Sequence, residues 1–277
     1  CKTPAGSRML RKWLKQPLLS VHDINHRLDL VGLFVNGFEL RAQIRDEVLP
    51  GMATDLDRLG RKLRSAKGSL QDVYALYQFI RQLPRLLQAL STAVEADDFG
   101  KDGGALLQHT FVEPLDRAHS NFGQYLNLVE AAVDLDAVSR HEYLIKPDFS
   151  DELKELYEER EAVFEKIEAH HAKLASELRL DSAKVKLEQT PMHGYVLRVS
   201  RKDEKALRDV RGLTTLQTKK DGVLFRDEKL GRLGTQYKDM TVRYEKAQTA
   251  LVAKVLETAS TFTSVVHEVQ EVVATPD

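Results

Sequence analysis

The chain has 277 residues, of which 41 are Lys or Arg and 42 Asp or Glu, with one cysteine, 15 glycines and 8 prolines. At about 150 residues per domain this allows one large domain or two ordinary ones, with enough buried surface to need neither a disulfide nor a structural metal. A lone Cys1 cannot close an internal disulfide, no apolar run approaches the ~18 residues of a membrane span, and a net charge of −1 excludes a uniformly basic protein. A single cysteine also suits a reducing compartment. Glycine and proline together make up about 8% against a usual ~12%, which points away from turn-rich β sandwiches and disordered linkers. The mixture of 30% charged and 42% hydrophobic residues suits exposed helices with apolar stripes. The chain opens at Cys1, with no Met and no charged-then-apolar leader. It therefore reads as an internal piece of a longer protein.

Helical period dominates the first half. Met9, Leu10, Trp13 and Leu14 form a stripe that Pro17 ends. Ser20, with Asp23 three residues on, opens a helix carrying Ile24, Leu28, Val31 and Val35. The pattern continues over 38–49 and 56–63, with Thr54 predicted as the N-cap of the latter. Leu70, Val73, Leu76, Tyr77 and Ile80 make a further stripe, interrupted by Pro84. Residues 95–104 are polar and glycine-rich and are predicted to form a loop. Pro114 suits the first turn of a helix running through Phe122, Leu126, Val129 and Val133.

In the second half two long helices are predicted. From Asp151 to Leu180 the series Leu153, Leu156, Val163, Ile167, His171, Leu174, Leu178 advances in three- and four-residue steps, with Arg160 in the vacant place. From Leu230 a second heptad series runs through Leu233, Tyr237, Met240, Tyr244, Ala247, Leu251, Thr258, Phe262, Val265, Val269 and Val272. Between them the period becomes two: Val185 and Leu187, then Tyr195, Leu197 and Val199, then 214–218 and 223–225 around an Asp221-Gly222 hairpin turn. The predicted fold class is mainly α, with an antiparallel pair of long helices carrying a small β element at its far end.

The near-zero net charge is segregated. Residues 148–181 hold eleven acidic and five basic groups, and residues 184–229 hold twelve basic and seven acidic, so an acidic stalk carries a basic tip. No Gly-x4-Gly-Lys-Ser/Thr phosphate loop, Gly-x-Ser-x-Gly elbow or His-Glu-x-x-His pair occurs. His22 and His26 have metal-ligand spacing but lack a third ligand on their face, and the carboxylates between Asp151 and Glu161 read as a solvated helix face. No enzyme constellation is present, and no cofactor is expected within the chain. The basic tip is the functional candidate. Lys186, His193, Arg198, Arg201, Lys202, Lys205, Lys219, Lys220 and Arg226 can track a phosphate backbone. With only Tyr195 and Phe225 nearby as stacking rings and no reading helix, such binding would follow shape and charge, not sequence. The same residues also fit a solvated basic surface or a protein-contact site, within a helical scaffold that does not touch DNA.

Residues 1–18, Cys-Lys-Thr-Pro-Ala-Gly-Ser-Arg-Met-Leu-Arg-Lys-Trp-Leu-Lys-Gln-Pro-Leu, followed by Ile24-Asn-His-Arg-Leu-Asp-Leu-Val31, closely resemble the start of the central helical region of MutS-family mismatch-repair proteins. Leu83-Pro84, His141-Glu-Tyr-Leu-Ile-Lys-Pro147, His193-Gly-Tyr-Val-Leu-Arg-Val199 and Lys220-Asp-Gly-Val-Leu-Phe225 extend the likeness in order along the chain. It is strongest to the eukaryotic branch that serves as the shared subunit of the MutSα and MutSβ complexes. The resemblance implies a lever (core) domain formed by residues 1–135 and 230–277, with a clamp inserted over 136–229. It implies that the clamp grips double-stranded DNA through its backbone, with Arg198, Lys202, Lys205, Lys219 and Lys220 facing the duplex, and that the lever transmits this to an ATPase domain using ATP and Mg. A second MutS homologue subunit, exonuclease and MutL-type partners, and a nuclear location are implied in the same way, with no membrane. Phe111-Val112-Glu113 has the letters of the family's mismatch wedge but falls in the helical region, which excludes that role.

Overall fold

A computed structural model describes residues 1–208 and 210–277. Asp209, one of the charges counted in the basic segment, lies outside the described residues. The chain forms two compact units, Cys1–Lys146 with Leu251–Asp277, and Pro147–Ala250.

The first unit is helical throughout. Its elements are α1 (Pro4–Lys15), α2 (Val21–Asn36), α3 (Phe38–Ala42), α4 (Leu56–Arg64), α5 (Leu70–Ile80), α6 (Leu83–Glu95), α7 (Gly100–Leu107), α8 (Glu113–Asn121), α9 (Gly123–Ala132) and the single turn α10 (Leu135–Val138). Local chemistry sets the starts. Thr3 caps α1 by accepting from the Gly6 amide, and Ser20 caps α2 through the Asp23 amide as its sequence predicts. Asp55, not Thr54, caps α4: its carboxylate accepts from the Arg58 amide and also takes two hydrogen bonds from the Arg8 guanidinium. The charged acceptor satisfies two sets of donors at once, which the neighbouring threonine hydroxyl cannot do. The glycine-rich stretch predicted as a loop is half helix, because Gly100 to Gly104 form the opening turns of α7. Tertiary packing overrides propensity here. Phe99 sits against Gly37 and Gly103, where an added Cβ would come within 2.4 and 2.6 Å of the Phe99 side chain.

Ser69 and Asp72 close a reciprocal capping box at the start of α5. Burial pushes the Asp72 carboxyl up, but hydrogen bonds from the Lys62 ammonium at 2.7 Å and from the Ser69 hydroxyl and amide outweigh it and hold the group below its usual value. A carboxyl depressed on folding adds stability above the unfolded pKa of about 4, and that stability is lost as pH falls through the folded value. Asp72→Asn is therefore expected to lower unfolding stability by about 1 kcal/mol at pH 7. The gap to wild type in urea midpoint should narrow as the pH falls below the unfolded carboxyl value of about 4; an equal gap at about pH 7 and in acid would contradict the assignment.

The core of this unit gathers Phe79, Leu83, Leu86, Phe111, Phe122 and Tyr125, all fully buried. Phe111 lies edge-on to Phe34 at 5.9 Å, in keeping with a packing role. Burial raises the Tyr125 pKa, and its hydroxyl donates to the Val73 carbonyl at 2.8 Å. An isolated bridge, Val133 to Ile145, with Lys146 N–H donating to Ala132, ties residues up to 146 back to α9, so they belong to the first unit rather than to the insert.

The second unit holds α11 (Asp151–Glu177), four strands and the first part of α12 (Glu228–Ser260). The helices run antiparallel: Tyr157 meets Tyr244 at 6.2 Å and Phe164 meets Tyr237 at 5.8 Å. Residues 228–250 thus count with the insert they pair with. In α11 the buried series is Leu153, Leu156, Val163, Ile167, His170, Leu174 and Ala175. His170 takes the place predicted for His171, because its ring reaches Asp227 across the pair while His171 turns to the Val185 carbonyl. The seam predicted for α12 holds through Tyr244 and then slips. Gln248, Val255 and Ala259 are buried in place of Leu251 and Thr258. The helix also stops at Ser260, before α13 (Thr263–Ala274), which packs on α1, α4 and α8. A straight helix drifts against a strict heptad, so a seam without supercoiling changes register.

Strands β1 (Lys186–Thr190), β2 (Gly194–Val199), β3 (Thr214–Lys219) and β4 (Gly222–Arg226) form one antiparallel sheet in the order β1-β2-β4-β3. Alternation decides the packed face: Tyr195, Leu197 and Val199 with Val223 and Phe225 meet Val163, Ile167, Leu174 and Leu230 of the helices. Gly234 of α12 lies against Tyr195 on this face, where a Cβ would make an ordinary van der Waals contact at 3.5 Å. The fold is therefore mainly α with a small sheet carried by two long antiparallel helices.

Candidate nucleic-acid interface

Strand register sets the strand-borne basic candidates at the two ends of the sheet. Lys186 lies opposite Arg198, Val199 opposite Val223, and Lys219 opposite Gly222, so these share one end. The connection leaving β2 at that end carries Arg201, Lys202 and Lys205, and the Arg201 Nε donates to the Lys219 carbonyl at 2.9 Å. His193 and Arg226 lie at the opposite end, four strand steps or about 13 Å away. There the Arg226 guanidinium donates to the His193 carbonyl at 2.8 Å.

The cations differ in what they are free to do. Lys186, Arg201, Lys202, Lys205, Lys219 and Lys220 are exposed. Arg198 is only 21% exposed, and its Nε donates to Glu188 at 2.6 Å while a second nitrogen reaches Asp221 at 3.4 Å. The Glu188 hydrogen bond, followed by the nearby carboxylate charges, raises the Arg198 pKa. The register explains this pairing. Arg198 faces Lys186 directly across the ladder, a like-charge pair that costs stability, and Glu188 is the diagonal neighbour that relieves it. Arg198 and Arg201 together hold the β3–β4 turn by its own atoms, and Lys219 and Lys220 project from that turn. The sequence alone does not pair Glu188 or Asp221 with Arg198, although centring the hairpin on Met192 places Glu188 diagonal to it.

The rings near the tip are not available for stacking. Phe225 is fully buried, and Tyr195 packs edge-on against Tyr237 at 5.2 Å. Burial, then the Tyr237 hydroxyl, pushes the Tyr195 pKa up to about 12. The far end has a different anchor. The Asp227 carboxylate accepts from the Leu230 amide at 2.8 Å and lies 2.7 Å from the His170 Nε2, so one side chain caps α12 and ties it to α11.

This is a basic, backbone-braced hairpin surface on a helical stalk: charge without stacking rings and without a groove-reading helix. No described helix is long and apolar enough to cross a membrane. Over residues 1–277 the chain matches the family model of MutS domain III, and it belongs to that family. It is 36% identical to the DNA mismatch repair protein Msh2 of Dictyostelium discoideum over all of this chain and 29% of that protein. Against MSH2 of Saccharomyces cerevisiae it is 33% identical over 99% of this chain and 28% of that protein. A MutS of Methanosarcina mazei matches 56% of the chain, and 16% of its own length, at 34% identity. The chain thus spans under a third of the length of the eukaryotic relatives it matches.

Proposed function

We propose that this chain is the part of a DNA mismatch repair protein that holds the duplex and passes that engagement along its helices. The observation that carries the reading is a set of exposed cations: Lys186, Lys219 and Lys220 at one end of a sheet, Arg201 hydrogen-bonded to the Lys219 carbonyl there, and Lys202 and Lys205 following in the connection that leaves β2. The apolar and aromatic residues of that sheet's packed face are turned into the core. Such a surface meets phosphates and leaves base edges unread, so binding is independent of sequence. The relatives matched are DNA mismatch repair proteins, which supports the same role here. α12 runs unbroken for 33 residues from beside the sheet, a length of about 50 Å, and supplies the stiff element a lever needs. On this reading the whole protein works in the nucleus beside a second MutS-type subunit, and its ATP and Mg are held outside this chain.

A salt titration with random-sequence duplex tests the reading. Six phosphate contacts give a slope of log K against log salt of roughly −5, and a flat response ends the proposal. The braces predict a split among the cations. Arg198→Gln should leave that slope unchanged while amide exchange at Asp221 and Gly222 accelerates. Lys219→Gln should reduce the slope by about 1. Equal slope losses for the two variants would make Arg198 a phosphate contact instead of a brace.

A further inference from the structure

We infer that the cleft between α2 and α7, remote in sequence from the basic hairpin, docks a basic, apolar segment of a partner protein. The cleft measures about 620 Å³. Leu33, Phe99 and Leu106 give it an apolar floor, and Asp29, Asp98 and Asp102 line it with no basic residue among the lining side chains. None of the three carboxylates forms an ion pair among the described residues. They do not converge on a point either, since no described group of three His, Cys, Asp or Glu residues could hold a metal ion. Spread carboxylates over an apolar floor match an organic cation with a hydrophobic body, as Lys and Arg side chains flanking leucines present.

A second observation is independent of charge. Gly32 lies in the middle of α2 and lines the cleft. An interior glycine weakens a helix about four- to fivefold relative to alanine. Gly37 and Gly103 are explained within the chain, because each makes room for Phe99; a Cβ on Gly32 would meet nothing within 4 Å. Nothing inside the chain requires Gly32 to be bare, and a bare helix surface in an open cleft is what a close-approaching partner needs. The apolar surface continues outward along α2 through Leu28 and Ile24, with Leu28 60% exposed. α1 also exposes leucines, Leu10 and Leu14, but among Arg8, Arg11, Lys12 and Lys15, so it repels the same basic segment.

The test uses the protein at its natural full length and a labelled 14-residue helical peptide, with leucines at i, i+3, i+4, i+7 and lysines elsewhere. Fluorescence anisotropy should show binding that falls at least tenfold in Asp98→Asn with Asp102→Asn, and at least tenfold in Gly32→Leu, which fills the cleft. Gly32→Ala should raise the melting temperature. Peptides with lysines changed to glutamate, or leucines to serine, should each bind at least tenfold more weakly. Should Gly32→Leu fail to fold, the asparagine pair decides. Undiminished binding in both variants would put the peptide elsewhere, such as the acidic α11, and overturn the proposal. So would full binding by the serine peptide, or peptide-free self-association that Gly32→Leu abolishes, which would make the cleft a contact between copies.

Discussion

Reversing both lysines of the β3–β4 turn, Lys219→Glu with Lys220→Glu, is expected to weaken binding to random duplex DNA by more than about tenfold at moderate salt and to lower the salt slope by about 2. The size follows from counterion release: each lost phosphate contact removes about 0.9 from the slope, and the two new carboxylates add repulsion. The turn is well placed for this measurement. Its backbone is held by Arg201 at the Lys219 carbonyl and by Arg198 at Asp221, while both lysine side chains are exposed and contribute nothing to the core. Fold stability should therefore stay within about 0.5 kcal/mol of wild type, as for surface changes generally. A variant that melts as wild type does and still binds DNA with unchanged slope would remove the hairpin from the interface. A partial loss confined to Lys219→Glu alone would narrow the contact to one lysine.

Much of this architecture was legible because the signals that build it are periodic. The step from 3.6-residue to two-residue spacing located the sheet, and Asp221-Gly222 located the turn, since both features are written in consecutive residues. Segregated charge pointed to the hairpin for the same reason. What could not be read depends on residues far apart in the chain. Arg198 looks like any other exposed cation until β1 and β2 are set in register and Glu188 falls diagonal to it. Spacing along α11 favours His171 for the seam, yet His170 is the buried one. The choice between them is made by Asp227, 57 residues away, and by the Val185 carbonyl. Residues 100–104 are poor helix formers by composition, and only the seat of Phe99 between Gly37 and Gly103 explains why they are wound. The stripe predicted on α2 from spacing, Ile24, Leu28, Val31 and Val35, is exposed, and Leu30 and Leu33, outside that series, are buried instead.

Asp227→Ala is expected to cost about 3 kcal/mol of unfolding stability in the unit built from α11, the sheet and α12, because one carboxylate performs two tasks there. As N-cap it accepts from the Leu230 amide, and removing such a cap costs about 1 kcal/mol. Its other oxygen meets the His170 Nε2 at 2.7 Å, and the His170 side chain is only 6% exposed. The His170 Nδ1 is already buried without a hydrogen-bond partner, so loss of Asp227 leaves both ring nitrogens unpaired out of water. A buried polar group stripped of its partner costs about 1–3 kcal/mol. Asp227→Asn separates the two contributions, since its amide still caps α12 and still offers His170 a partner; it should lose less than about half as much. The double variant Asp227→Ala with His170→Leu should recover most of the second contribution, because an apolar side chain there needs no partner. Urea unfolding of wild type, Asp227→Ala, His170→Leu and the double variant gives the coupling directly. If the two single changes prove additive, the His170–Asp227 contact does not join the helices, and the cap alone accounts for the loss.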